Sequence, residues 1–479
     1  MTEPDWVQHA IWWQVYPIGF VGAEPSARAA QPVAHRLGQL VPWLDYVLEL
    51  GASGLALGPV FASETHGYDT TDYFRIDPRL GDDADFDELI AQCHARGLKV
   101  LLDGVFNHVG RSFGPFQKVL ADGPGAPAAS WFRLQWPDSG WSPGTEPGYE
   151  DFEGHHHLVA LNHDEPGVAA LVTDVMKHWL GRGADGWRLD AAYAVPASFW
   201  APVLAEVRRD YPESYFVGEY IHGDFADEVE RSTLDSVTQY ELWKAVWSSL
   251  NDANFYELAS ALERHNGFLE TFVPLTFVGN HDVTRLASKL KNPDQLGLAL
   301  TVLMSVGGTP CIYYGDEQAF RGIKEDRAGG DDAVRPAFPA SPAELAKAGW
   351  PVYHLHQELI GLRRRHAWLH TARTKVLTLS NEHLVYQVRA DGGAAGGGAA
   401  SGDAAGGDAA GGGAASGDAA GGDAAGGGAL TVALNLSGSP ADLPVPSGSG
   451  ALLAGQARPH PDRDAVGLPG FGWAVLGKG

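Results

Sequence analysis

The feature that most constrains this chain is an alternation. Apolar runs of strand length are followed repeatedly by longer segments of helical period. AIWWQVYP (10–17) precedes VPWLDYVLELG (41–51), GLALGPV (54–60) precedes DFDELIAQCHARG (85–97), and LKVLLDGV (98–105) opens a third unit. Further on, VAALVTDVMKHWLGRG (168–183) leads into DGWRLD (185–190), and SFWAPVLAEVRRDY (198–211) into YFVGEY (215–220). VPLTFVGNHD (273–282) is followed by DQLGLALTVLMSVG (294–307) and then PCIYYGDE (310–317). A strand that returns parallel through a helix requires such a repeat, and roughly eight of them favour a (β/α)8 barrel. The rival is a doubly wound open sheet. No glycine-rich phosphate turn follows the first strand, which weakens that rival.

The third unit is interrupted by a stretch rich in Gly, Pro, Trp and His, too long for an ordinary strand–helix loop. After Arg365 the period changes. KVLTLS (375–380), HLVYQVRA (383–390), LTVALNLS (430–437) and GWAVL (472–476) alternate as strands do. The predicted organisation is a barrel over 1–109 and 165–370, an inserted small domain over 110–164, and a C-terminal antiparallel β-sandwich over 371–479. Within the last lies a repeat: AAGGGAASGDAAGGD at 394–408 recurs unchanged at 409–423. Such residues bury too little apolar area to offset ordering, so a flexible Gly/Ala-rich loop is expected over 391–429.

The formal net charge of −25 argues against nucleic acid and anionic membranes as partners. Fifteen Trp and fifteen Tyr suit a sugar ligand, whose faces stack on flat rings, although most such rings belong to cores. The two cysteines, Cys93 and Cys311, fall in a helical and an apolar strand segment and read as buried thiols. No secretion signal opens the chain, and no apolar stretch is long enough to span a bilayer. The expectation is a cytoplasmic protein, a monomer or homodimer.

Carboxylates gather at the predicted carboxyl ends of strands, where barrels build their sites. In a strand, alternate residues share a face, so Arg188 and Asp190 point together into the barrel mouth while Trp187 and Leu189 pack outward. The guanidinium is expected to lower the Asp190 pKa and keep it ionised, as a nucleophile at a sugar carbon requires. Taken alone, the pair also fits a structural ion pair. Glu219 ends the next strand, and near another carboxylate it is expected to hold a proton for a leaving oxygen. Asp282 ends the seventh, after Asn280 and His281, and Asp103 and His108 follow the third.

Here DGVFNH (103–108), GWRLDAA (186–192), GEY (218–220) and FVGNHD (277–282) resemble, in order and spacing, the four motifs of the α-amylase family of glycoside hydrolases. HGYDTTDYFRIDPRLG (66–81) and GGDDAVRPAF (329–338) resemble its segments after the second and eighth strands. The resemblance covers roughly residues 10 to 365. It implies Asp190 as nucleophile, Glu219 as general acid/base and Asp282 as the carboxylate that holds sugar hydroxyls. It implies Arg188 orienting the nucleophile, His108 and His281 bonding the sugar, Tyr68 stacking beneath it, and Asp332 with Arg335 gripping the non-reducing side. For Asp103 the role is open between substrate contact and support of the site. The reaction implied is retaining double displacement on α-glucosidic bonds of an oligosaccharide. No cofactor is required. Asn107 matches a calcium ligand of the family, but Tyr193 and Ala194 stand where many members carry Lys-His, which argues against calcium and for different acceptor subsites.

Ala191, after the nucleophile position, resembles α-1,4-acting members, whereas Val is commoner in strict α-1,6-glucosidases. LVALN (158–162) is nearer to cyclomaltodextrinase and neopullulanase types. Those carry an N-terminal β-domain that is not expected here, because the first strand begins near Ile11. Hydrolases of cyclic maltosyl-maltose are a narrower resemblance. Two alternatives stay open: transfer to a sugar rather than to water, as in glucanotransferases and trehalose synthases, and a non-catalytic member. The second lacks the acids that are present here.

Overall fold

The computed structural model describes residues 3–28, 31–327, 329–390, 428–460 and 463–477. Eight parallel strands form one sheet: β1 (Trp12–Val15), β2 (Gly54–Leu57), β3 (Lys99–Gly104), β4 (Gly186–Leu189), β5 (Tyr215–Gly218), β6 (Ser236–Val237), β7 (Leu275–Phe277) and β8 (Thr309–Tyr313). The order is β6-β5-β4-β3-β2-β1-β8-β7. A parallel bridge from Thr238 to Leu275 joins the two ends, so the sheet closes into the expected (β/α)8 barrel. The two-residue period sorts the side chains. Trp12, Ala56, Leu101, Tyr215, Val217, Leu275, Phe277 and Cys311 pack together inside. Trp13, Trp43, Trp179, Trp187 and Trp200 belong to the larger layer between sheet and helices. Burying rings of that size is the main favourable term in such a layer.

The sixth unit was not legible in the sequence. β6 has only two residues, so no apolar run marks it, and two helices follow, Tyr240–Asn251 and Tyr256–Phe268. After β3, the strand His108–Gly110 pairs antiparallel with His155–Ala160, which pairs with Asp151–Phe152. The same stretch holds a helix, Gly114–Asp122, where the sequence showed no long period. It is one short amphipathic turn set, burying Phe116 and Val119 and starting with Pro115 in its first turn.

The C-terminal strands form a five-stranded antiparallel sheet facing a three-stranded one. Val385, Ala433, Ala474 and Leu476 of the first pack on Leu443, Val466 and Leu468 of the second, giving the expected sandwich. Its Gly/Ala-rich repeat lies outside the described residues. Cys93 and Cys311 are both free and buried. Among the described residues no helix is long and apolar enough to cross a membrane.

One buried histidine fastens the barrel where β8 begins. His265, on the helix Tyr256–Phe268, hydrogen-bonds the Gly307 carbonyl at 2.8 Å through Nε2 and meets the Gln239 amide at 3.2 Å through Nδ1. Burial pushes it down to about 4. A histidine neutral in the fold but protonated when unfolded gives full stability above about pH 6.5, lost as pH falls towards 4. Between pH 7 and 5 this residue is expected to cost about 2 kcal/mol. Urea unfolding of His265→Gln should show a flatter pH dependence than the parent over that interval. Equal declines in the two proteins would contradict the assignment.

Candidate active site

The ends of β3, β4 and β5 meet on one guanidinium. Arg188 stands level with Asp103 on β3 and Val217 on β5. Its Nη1 donates to both Asp103 carboxylate oxygens at 2.7 Å and to Asp190 Oδ1 at 3.3 Å, and its Nη2 lies 2.8 Å from Glu219 Oε1. All four side chains are buried. Beneath them the barrel interior leaves a cavity of about 20 Å³, lined by Gln14, Arg188, Asn280 and Cys311 among others, which is room for one water.

Backbone geometry aims the acids. The Asp190 N–H donates to the Gly104 carbonyl at 3.0 Å. The next residue, Ala191, adopts a left-handed backbone, φ +46°, that costs about 1 kcal/mol or more in a residue with a Cβ. That turn directs the Ala191 N–H onto Glu219 Oε2 at 3.0 Å. Glu219 also accepts from the Tyr240 hydroxyl at 3.1 Å, which in turn accepts from the Asn280 amide at 2.8 Å.

The expectation that Arg188 lowers the Asp190 pKa is corrected by the structure. Burial, then the Glu219 charge, push Asp190 well up, and Arg188 pulls it back only in part. Burial is the largest cause, and the one opposing guanidinium is shared among three carboxylates. Asp103 is likewise raised, first by burial and against the pull of Arg188. Asp282 behaves oppositely. Burial alone would raise it, but His281, Arg335 and Arg188 together hold it well below the usual carboxylate range. His281 Nε2 lies 2.9 Å from Asp282 Oδ2, and Arg335 Nη2 donates to Oδ1 at 2.8 Å.

Tyr68 lies flat against His281, ring centres 5.4 Å apart, and its hydroxyl contacts His281 Nε2 and donates to Asp103 Oδ2 at 3.1 Å. His281 Nδ1 faces the Gln14 amide at 3.3 Å. So Tyr68, Asp103, Arg188, Asp190, Glu219, His281, Asp282 and Arg335 form one constellation.

Three other candidates sit differently. His108 does not present a free ring nitrogen. Nε2 lies 3.0 Å from the Tyr68 carbonyl, Nδ1 lies 3.1 Å from the Asn107 amide, and Phe152 covers the ring at 4.6 Å. Burial pushes it down to about 3, and in this structure its ring braces the backbone of Tyr68. Asp332 is exposed, and it is the neighbouring Asp331 that joins Asp282 on Arg335, at 3.1 Å. Asn107 is buried with its amide on His108. Calcium requires six to eight oxygens. Among the described residues the only cluster of three acids or imidazoles with metal-holding geometry is His35, Asp82 and Asp85, elsewhere in the fold.

Tyr240, Gln14 and Asp331 escaped sequence reasoning. Tyr240 follows a strand too short to announce itself. Gln14 is the single polar residue of AIWWQVYP, and that break in an apolar run was the available signal.

Comparison with known proteins gives the family. The sequence family described as "Alpha amylase, catalytic domain" matches residues 14–371. A cyclomaltodextrinase of Geobacillus thermopakistaniensis is 31% identical over 415 residues, covering 81% of this chain and 68% of that protein. Neopullulanase 2 of Thermoactinomyces vulgaris is 31% identical over 390 residues, 77% of this chain and 65% of that one. Among solved structures, a cyclic α-maltosyl-(1→6)-maltose hydrolase of Arthrobacter globiformis superposes with TM-score 0.77 at 24% identity, covering 99% of this chain and all of that one, which bears on the fold alone. With three quarters of its length matched, the chain belongs to the α-amylase family of glycoside hydrolases.

Proposed function

We propose that this hydrolase cleaves α-glucosidic bonds, mainly α-1,4, in short or cyclic maltooligosaccharides by double displacement with retention. The observation that carries the reading is the shared guanidinium of Arg188 on Asp103, Asp190 and Glu219, with Asp282 opposite. The names of the cyclomaltodextrinase and neopullulanase relatives support the substrate class.

Burial and the Glu219 charge hold a proton on Asp190 more tightly than on an exposed carboxyl. The form that reacts is the one with Asp190 as carboxylate and Glu219 as acid. The Asp190 carboxylate attacks the anomeric carbon as the C–O bond breaks, and Glu219 gives its proton to the leaving oxygen. Glu219, now a carboxylate, takes a proton from water. The water oxygen attacks the anomeric carbon and Asp190 leaves as the carboxylate. Asp282, kept ionised by His281 and Arg335, accepts hydrogen bonds from the sugar hydroxyls, whose grip strengthens as charge develops at the ring. Tyr68 offers its ring to the sugar, braced behind by His108. The chain divides, on this reading, into a barrel (1–109 and 165–370), an insert (110–164) that roofs the site, and a sandwich (371–479).

Tyr240 acts through Glu219, as a positioning residue. Tyr240→Phe removes one donor from the acid/base carboxylate, and kcat is expected to fall about tenfold with KM little changed. A change confined to KM would contradict this role.

The test of the function is product chromatography with maltotriose, β-cyclodextrin, pullulan and soluble starch. The expected result is net hydrolysis, fast on trisaccharide and ring and slow on starch, with the α-anomer released first by proton NMR. Longer or rearranged products without net hydrolysis would replace the reading by a transferase. No change in any of the four would remove the substrate class.

A further inference from the structure

The Asp190 loop is tied to the inserted segment by a contact that the chemistry above does not use. Tyr193 is clamped to the acid/base residue through its backbone, its N–H donating to the Glu219 carbonyl at 3.2 Å. Its hydroxyl runs the other way and donates to Glu153 Oε1 at 2.9 Å. Glu153 is at the tip between the strands Asp151–Phe152 and His155–Ala160, with a left-handed backbone at φ +53°. A non-glycine residue held in that conformation marks a turn whose shape is imposed, and such strain gathers at clamps and switches. The residue before it, Phe152, is the one that covers His108. One turn of the insert therefore touches both flanks of the mouth: Phe152 over the β3 side, Glu153 over the β4–β5 side. The Tyr193 ring is half-buried with His222 beside it, ring centres 5.9 Å apart, and Ile221 stands 44% exposed between His222 and Tyr220.

We propose that Tyr193 and Glu153 determine specificity: they form a tie across the leaving-group side of the mouth, which must open to admit a ring or the interior of a long chain but not to admit a short linear oligosaccharide. This rests on the reading of Glu219 as the acid/base, which puts the leaving sugar next to whatever is fastened to Glu219. The constraint is topological. A linear trisaccharide reaches the acids by its end. A ring has no end, and a chain interior has none nearby, so either must be laid in from above where the tie crosses. The tie is a phenol on a solvent-exposed carboxylate, a single hydrogen bond weak enough to break at each turnover. It also gives the insert a reason to carry an acid at a position where its backbone is strained.

The experiment measures kcat/KM on β-cyclodextrin and on maltotriose for the full chain and for Tyr193→Phe, Glu153→Ala and Glu153→Gln. Tyr193→Phe keeps the ring and loses the donor. Glu153→Ala loses the acceptor, and Glu153→Gln keeps a neutral one. The ring-to-trisaccharide ratio is expected to rise about tenfold in the first two, the effect of one hydrogen bond to a charged group, and to stay closer to the parent value in Glu153→Gln. Thermal unfolding of each variant confirms that the fold is intact. Ratios within about twofold of the parent in both Tyr193→Phe and Glu153→Ala, or a fall in either, would overturn the tie. If the parent cleaves both sugars and the ratios do not move, this inference alone fails. If the parent cleaves neither, the proposed function fails and the tie falls with it.

Discussion

Replacing Asp190 by Asn is expected to lower kcat by about 10⁴-fold or more while leaving the fold in place. The substitution keeps the shape and one oxygen for the Arg188 guanidinium, which reaches Asp190 Oδ1 at 3.3 Å, but removes the charge that attacks carbon. Two features bear on stability. Asp190 is pushed well up by burial and by Glu219, so the parent already keeps this site short of one charge, and a neutral amide replaces a group that the fold is reluctant to ionise. The unfolding temperature of Asp190→Asn is therefore expected to equal or exceed that of the parent, most clearly at higher pH. There the parent must bear the cost of the charge, because a raised carboxyl loses stability as pH rises through its folded value. Steady-state rates on maltotriose, together with thermal melts at two pH values, check both halves. Near-parent turnover, or a variant that fails to fold, would contradict the account.

The second large effect is expected at Arg188. Its replacement by Met removes the cation shared by three buried acids at the ends of β3, β4 and β5. Breaking a buried pair by deleting one partner costs about 3–5 kcal/mol, because the other charges are left without compensation. The acids can respond by taking up protons, so the loss should be smaller near pH 5 than near pH 8. In linkage terms, carboxyls whose folded pKa values rise further cost stability increasingly as pH rises through those values. Urea unfolding at both pH values measures the difference. Activity should fall with stability but not in proportion, since Asp190 and Glu219 also lose the side chain that orients them. A uniform stability loss at the two pH values would mean that the guanidinium serves packing more than charge.

Much of this site was legible because the barrel imposes a rule on sequence. Strand ends deliver their last residues to one rim, so Asp103, Asp190, Glu219 and Asp282 could be placed together from apolar runs alone. The two-residue period likewise separated Arg188 from Trp187 before any coordinate was known. What escaped depended on contacts between distant segments. The Asp190 pKa was misjudged because adjacency pairs one Arg with one Asp, whereas the fold buries the carboxyl and brings Glu219 and Asp103 to the same guanidinium. His108 reads as an available imidazole until Phe152 and the Tyr68 carbonyl, some 40 residues away on either side, close over it. Asp331 and Asp332 are indistinguishable as letters, and only the path of a short 3-10 turn decides which reaches Arg335. β6 was missed because two residues carry no period, and Tyr240 was lost with it.

The central claim is that Asp190 forms a covalent bond to the sugar. The most direct measurement is mass spectrometry of the full chain after incubation with a 5-fluoro-α-glucosyl fluoride, which forms the glycosyl intermediate faster than it is released, followed by peptide mapping. The account predicts a single added fluoroglucosyl group on the peptide containing Asp190, absent in Asp190→Asn. Label on the Glu219 or Asp282 peptide instead, or rapid turnover of α-glucosidic bonds with inversion and no covalent adduct, would contradict it.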